Sequence, residues 1–286
     1  MKKQLISMVL MAAMTVSMLT GCETADGKKT EAPSSENQAA AEVKAEDEGK
    51  ASEGGEDYSY HWKLATTESS DYYMTQLSQE FLDIVEEKTG GKVTGEVFAS
   101  GQLGGLVDAL EGLEMGNIDI VMDGVSSLSA VDDIFNVWCL PFLYDNKEHQ
   151  YRFWDNHFDE VSDMVAEQSG FRLVSVIDGM NRELASTVPV ESMADLKGLK
   201  IRVPNIPGYV RIWECLGAAP IPMSLSEVYT SIQTGVVQGQ ENDIALTLSL
   251  KFYEVAPYCV MTDHVAYEGS FYFNEEEYQS YPDELK

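Results

Sequence analysis

Positive charge is what this chain has least of. Nineteen lysines and arginines stand against 48 aspartates and glutamates in 286 residues, a formal net charge of −29. That balance excludes a diffuse hold on nucleic acid or on an anionic lipid surface, both of which need clustered basic residues. It also excludes a general basic attraction for an acidic ligand, so any anion site must be local. Arginine is scarcer still, with five in all, Arg152, Arg172, Arg182, Arg202 and Arg211. Besides Cys22 there are only Cys139, Cys215 and Cys259. An odd set without a CxxC excludes a full disulfide framework and a cysteine zinc site. Each of the three lies among apolar neighbours, which predicts small buried residues. The four histidines, His61, His149, His157 and His264, have no partner at metal-ligand spacing. There is no HExxH, GxSxG or P-loop, and Gly101–Gly105 lacks the GxGxxG order of a dinucleotide fold. No catalytic centre, metal or cofactor is expected.

One long apolar run exists, Leu5–Leu19, behind Lys2 and Lys3. It has the length of a signal-peptide core; the competing reading, a membrane span, needs ~20 residues. Leu19-Thr20-Gly21-Cys22 reads as a bacterial lipobox, in which Cys22 takes the lipid. Residues 1–21 are therefore expected to be a signal peptide and 22–57 a lipidated tether. From Glu23 to Asp57 there is no aromatic residue and a single β-branched aliphatic, Val43. Such a stretch cannot bury enough apolar surface to offset its chain entropy. The expected location is outside the cytoplasm, anchored to the cell membrane through Cys22.

The remaining residues, about 230 of them, suffice for two small lobes or one large domain. Strand and helix signals alternate through them. Tyr58–Thr66 reads as a strand, and a helix follows, capped by Ser70 or Asp71. Its inward face is Met74, Leu77, Phe81, Ile84 and Val85, and Gly90-Gly91 ends it. Val93–Phe98 is a second strand, Leu106, Leu110 and Leu113 mark a helix ending near Gly116, and Ile118–Met122 is a third strand. In the second half Leu173–Ile177 and Leu199–Val203 are strand-like. In the latter, residues 199, 201 and 203 face one way, and Lys200 and Arg202 the other. Ser224-Leu225-Ser226-Glu227 is a capping box for a helix carrying Val228, Tyr229 and Ile232 inward to Gly235. The pattern is that of an α/β fold with a largely parallel sheet. Asp123 and Asn242 each lie seven residues after a helix-ending glycine, so in pseudo-equivalent lobes they would face each other across a cleft, unless the echo is chance.

Residues 181–242 hold the most informative stretch. Arg182 and Arg202 stand where a strand meets a loop. A guanidinium fork there suits a carboxylate; the alternative is two surface charges in rim salt bridges. The stretch resembles the solute receptors of TRAP (tripartite ATP-independent periplasmic) transporters, the DctP family, in several blocks in the same order. These are Gly179-Met180-Asn181-Arg182, the DLKGLKIRVP block at Asp195–Pro204, and the block from Gly217 to Asn242. Upstream, SGQLGG (100–105) and LPFLYDNKEH (140–149) resemble the same family. The resemblance runs from about residue 59 to the last residue.

The resemblance implies a two-lobed fold of the periplasmic-binding-protein kind, type II-like, with a ligand cleft between the lobes. Lobe I would span residues 58–180 plus 268–286, and lobe II residues 181–267. It implies a binding protein rather than an enzyme, which captures an organic-acid anion and delivers it to TRAP membrane permease subunits. Arg202 would make a two-pronged bridge to the ligand carboxylate, Arg182 a second anion or hydroxyl contact, and Asn242 a hydrogen bond. Thr67, Asp123 and Leu225 are the further ligand-binding candidates, and His264 is structural. This chain departs from the family at Gln238, Asp243 and Leu225, the last standing where many relatives have an aromatic. If Asp123 lines the site it would repel a second carboxylate, so a sugar acid or uronate suits the site better than a C4-dicarboxylate. Tyr281–Lys286 resembles the start of a long helix that the family continues. Residues 58–286 alone are therefore expected to expose apolar faces and to be poorly soluble. The rival readings are a binding lipoprotein of an ATP-driven (ABC-type) importer and a secreted α/β hydrolase.

Overall fold

In a computed structural model the described residues are 58–286. The expected signal peptide, the tether and Cys22 lie outside them. In chain order the regular elements are β1 (Tyr60–Ala65), α1 (Tyr73–Thr89), β2 (Val93–Phe98), α2 (Leu106–Glu114), β3 (Ile120–Gly124), α3 (Lys147–Ser169), β4 (Phe171–Leu173) and β5 (Ile177–Ser186). They continue with β6 (Lys200–Val203), α4 (Pro207–Cys215), β7 (Ala219–Pro222), α5 (Val228–Gln233), β8 (Gly239–Asp243), α6 (Ile244–Ser249), β9 (Tyr258–Asn274) and α7 (Glu275–Ser280).

The strands form one sheet in the order β2-β1-β3-β9-β5-β8-β6-β7, with β4 added on β9. Within each half the pairing is parallel, β1 with β2 and β3, and β6 with β7 and β8. Two antiparallel strands join the halves. Residues 269–273 of β9 pair with β3, while its residues 258–269 pair with β5, which also pairs with β8. The β5–β9 ladder shifts register between Asp178 and Asn181 and again between Arg182 and Leu184. Such irregularities bend a strand and re-aim its side chains. The expected α/β class with a largely parallel sheet is thus observed, with the antiparallel junction added.

Most expected elements lie where the hydrophobic periodicity places them. α1 ends on Gly90, whose φ of 63° lets its N–H close on the carbonyls of Glu86 and Glu87. Four readings need correction. Neither Ser70 nor Asp71 caps α1; Tyr72 stands at the N-cap. Of the expected inward face of α1, Met74 is buried and Phe81 and Val85 pack against the core, joined by Ser78 and Leu82, whereas Leu77 and Ile84 point outward. The hydroxyl of Tyr72 donates to Asp243, which draws Tyr72 into the core and sets the helix rotation. The strand expected at 173–177 is two strands, β4 and β5, separated by residues 174–176. Cys139 is buried, but Cys215 and Cys259 are exposed. Cys215 is the last residue of α4, beyond the inward Tyr209, Ile212 and Trp213, and Cys259 lies on the outer stretch of β9. Residues 283–285 form a turn, and Tyr281 packs edge-on against Tyr60. A largely apolar hollow of about 770 Å³ lies between α4 and the segment 133–142, and Leu140, Phe142 and Met193 on its wall are half or more exposed.

Candidate functional site

β8 is the anomaly of the core. Its sequence GQEND is polar, yet all five residues are buried. Buried polar groups are kept only where they find partners, and the partners of β8 define a site. A cavity of about 120 Å³ opens where β3 and β8 end. A single water needs only about 10–15 Å³, so the space admits a small organic molecule. Thr67, Asp123, Arg182, Arg202, Leu225 and Asn242 all line it. The six candidate positions are therefore brought together, with Asp123 on β3 and Asn242 on β8 lining the one cavity. The echo extends to detail. Asp123 Oδ1 accepts from the Gly124 N–H at 2.7 Å, and Asn242 Oδ1 accepts from the Asp243 N–H at 3.1 Å.

The two arginines differ in what holds them. Arg182 is 4% exposed and makes a two-pronged bridge to Glu241, Nε to Oε2 at 2.6 Å and Nη2 to Oε1 at 2.9 Å. In the ladder Arg182 stands opposite Asp243, so Glu241 is its diagonal neighbour on the same face. His264 Nε2 lies 3.2 Å from the same Glu241 oxygen and its Nδ1 lies 2.8 Å from the Thr262 hydroxyl, the structural role expected of it. Burial alone would push Glu241 up, but Arg182 and His264 hold it down at about 2. Burial likewise opposes the charge of Arg182, and Glu241 raises it well above its ordinary value. This guanidinium is neutralised within the protein.

Arg202 is not. It is 3% exposed, and its Nε and Nη2 donate to one carbonyl oxygen, that of Met223, at 3.0 and 2.8 Å. Among the described residues no carboxylate lies within salt-bridge distance of it. Burial pushes its pKa down to about 10, partly opposed by Glu241, and it stays charged at neutral pH. The reading of these arginines as rim salt bridges fails for both; it suits Arg172, which bridges Glu275 at 2.7 Å and Asp163 at 2.6 Å.

The opposite wall is acidic, and burial there works against ionisation. Asp123 is raised, chiefly by desolvation, although Ser127 donates to it at 2.6 Å and Arg182 and Thr67 favour its ionised form. Bonds between the two halves tie them together: Ser126 to the Tyr209 hydroxyl at 3.0 Å, at the cavity wall, and, away from it, Tyr72 to Asp243 at 2.9 Å and Ser69 to Ser249 at 3.1 Å. Glu241, Glu68, Tyr209 and Tyr267 are site residues that the sequence did not single out. Glu241 could have been noticed beside Asn242, but its pairing with Arg182 depends on β5 lying against β8, which no local pattern announces.

Fold and site together define an α/β two-lobed binding-protein architecture whose cavity is lined by a buried guanidinium, Arg202, with no carboxylate partner among the described residues. A family model for bacterial extracellular solute-binding proteins, family 7 (DctP), matches residues 64–286, and the chain belongs to that family. It is 37% identical over 178 residues to a solute-binding protein of Roseobacter denitrificans, which covers 62% of this chain and 54% of that one. It is 31% identical over 202 residues to the sialic acid-binding periplasmic protein SiaP of Vibrio cholerae, 70% of this chain and 63% of that one. The chain thus spans little more than half the length of the curated relatives it matches. Among solved structures, a TRAP periplasmic solute-binding protein of R. denitrificans with bound L-galactonate aligns at a TM-score of 0.75 and 30% identity, over 80% of this chain and 77% of that one. Another, from Sulfurospirillum deleyianum with bound succinate, aligns at 0.74 and 26% identity, over 80% and 74%.

Proposed function

We propose that this protein is the extracytoplasmic solute receptor of a TRAP transporter. It captures a hydroxylated organic-acid monoanion and delivers it to the membrane permease subunits. The observation that carries this reading is Arg202, a buried guanidinium that faces a cavity with only a carbonyl for a partner. A ligand carboxylate would supply the missing charge, and the planar fork matches it bidentately. Asn242 adds a hydrogen bond, Leu225 an apolar wall, and Arg182, held by Glu241, a positioned guanidinium edge. Asp123 and Thr67 close the site from the other half, and Asp123 disfavours a second carboxylate there. The names of relatives support the ligand class, since L-galactonate and succinate are both carboxylates.

The working cycle is hinge closure. Lobe I, residues 58–180 with 268–286, and lobe II, residues 181–267, share β5 and β9, and a ligand touching both lobes favours the closed form. Cys22 would carry the lipid anchor, with residues 22–57 as tether behind a signal peptide of residues 1–21. Calorimetry against D-galactonate, D-galacturonate, D-glucuronate and succinate tests the reading. Binding of at least one sugar acid, with compaction in small-angle scattering, is expected. Lack of binding to every acid would sink it.

A further inference from the structure

Glu68 is the one carboxyl of the cavity wall whose role the fold leaves open. It is 2% exposed and lines the cavity from the loop after β1, in the half of the sheet that does not carry Arg202. Its Oε1 accepts the hydroxyl of Tyr267 at 2.8 Å, and its Oε2 is buried without a hydrogen-bond partner among the described residues. A buried polar oxygen left unpaired is costly, and such exceptions mark places where something else is to be bound.

The position of Glu68 is built in. Its N–H donates to the Thr66 hydroxyl at 3.2 Å, its carbonyl accepts from the Ser100 N–H at 2.7 Å, and the Gly101 N–H closes on the Thr66 carbonyl at 3.0 Å. Two loops therefore lock the backbone. Tyr267 is held as firmly. Arg182 sits over its ring at 5.6 Å, and Gly124 and Gly179 approach it so closely that neither has room for a Cβ. The titratable groups around Glu68 come from four elements: Asp123 on β3, Asp243 on β8, Arg182 on β5 and the hydroxyl of Tyr267 on β9. Burial first and Asp123 second raise its pKa well above the ordinary value, while the Tyr267 hydrogen bond and Arg182 oppose them. A neutral carboxylic acid can donate through Oε2 to a hydroxyl or carbonyl oxygen and does not repel an anion.

We propose that Glu68 reads the polyhydroxy part of the ligand: its free Oε2 hydrogen-bonds a ligand hydroxyl from the lobe opposite Arg202, and so favours sugar acids over unsubstituted dicarboxylates. This rests on the receptor reading above and names the group that selects within it.

The test compares D-galactonate with succinate by calorimetry on the whole chain, using wild type, Glu68→Gln and Glu68→Leu. Loss of a buried hydrogen bond to a ligand hydroxyl corresponds to ~10-fold weaker binding or more. Glu68→Leu is expected to lose that much for D-galactonate with little change for succinate, and Glu68→Gln to lose less. Equal losses for both acids, or none for either, overturn the proposal. Failure of the wild type to bind any of the four acids named above defeats the receptor reading, and this one with it. Infrared difference spectra of the wild type on adding D-galactonate need no variant to fold. A shift of a carboxyl or carboxylate band that is missing in Glu68→Gln is expected, and unmoved bands would refute a direct contact.

Discussion

Charge at Arg202 is stabilised by very little. One carbonyl oxygen serves two of its N–H groups, and a hydrogen bond from a charged group is worth ~1.5–3 kcal/mol. A bound carboxylate would satisfy the rest of the fork. Arg202→Ala is accordingly expected to abolish measurable sugar-acid binding in calorimetry. Arg202→Lys keeps the charge but loses the fork, and a ~10-fold or larger loss follows from that hydrogen-bond range. Near-wild-type affinity in Arg202→Lys would remove the bidentate role. Asp123 gives a second prediction at this scale. Asp123→Ala removes the group that opposes a second carboxylate, so succinate should gain on D-galactonate. An unchanged ratio of the two affinities would show that Asp123 does not discriminate between them.

At the scale of the element, the working parts are the two strands shared by both halves. β5 carries Arg182 and β9 carries Tyr267 and His264, so the irregular ladder between them sets the floor of the cavity. Gly179 lies in that irregular stretch, and a Cβ there would collide with the backbone carbonyl of Tyr267. Backbone cannot rotate away as a flexible side chain could. Gly179→Ala is therefore expected to cost ~1–3 kcal/mol of stability, the range for overpacked sites, and to weaken ligand binding as Tyr267 shifts. Chemical denaturation together with calorimetry checks both, and an undisturbed variant would mean that β5 and β9 separate easily. The Gly-x-x-Arg spacing of the sequence thus has a packing reason, since the glycine admits Tyr267 and the arginine lies over its ring.

For the whole molecule, buried acids govern the response to pH. Glu68, Asp123, Asp243 and Glu268 are all raised, in each case chiefly by burial. A carboxyl that holds its proton more tightly folded than unfolded opposes folding as pH rises through its folded value. Stability should therefore increase as pH is lowered from neutral into the mildly acidic range. Glu241 works in the opposite sense, because its folded value is depressed to about 2. Its contribution is complete above the unfolded glutamate value of ~4.3 and is lost as pH falls towards its folded value. The profile of melting temperature against pH is expected to peak on the acid side of neutral. Glu241→Gln should lower the whole curve, as breaking a buried pair costs ~3–5 kcal/mol, and flatten its acid limb. An acid limb of unchanged slope in the variant would contradict the assignment.

Much of this protein was readable from local pattern. Strand and helix positions follow from periods of two and of about 3.6 and from glycine stops, which act over a few residues at a time. The cavity candidates Arg202, Asn242, Thr67, Asp123, Arg182 and Leu225 were legible through motif blocks, and all six line one cavity. The rotation of α1, the exposure of Cys215 and Cys259, and the division of labour between the arginines were not. Local sequence says that Arg182 and Arg202 both end up near the site, but not which keeps its charge free. That depends on β5 lying antiparallel to β8, which sets Glu241 diagonally beside Arg182 and leaves Arg202 facing a carbonyl. The burial of Glu68 against Tyr267, 199 residues apart in sequence, likewise exists only once the sheet has formed. Sequence determined which groups are present and the elements that carry them. Tertiary structure alone decided which charges are cancelled, because pairing and desolvation act between residues that only the fold brings together.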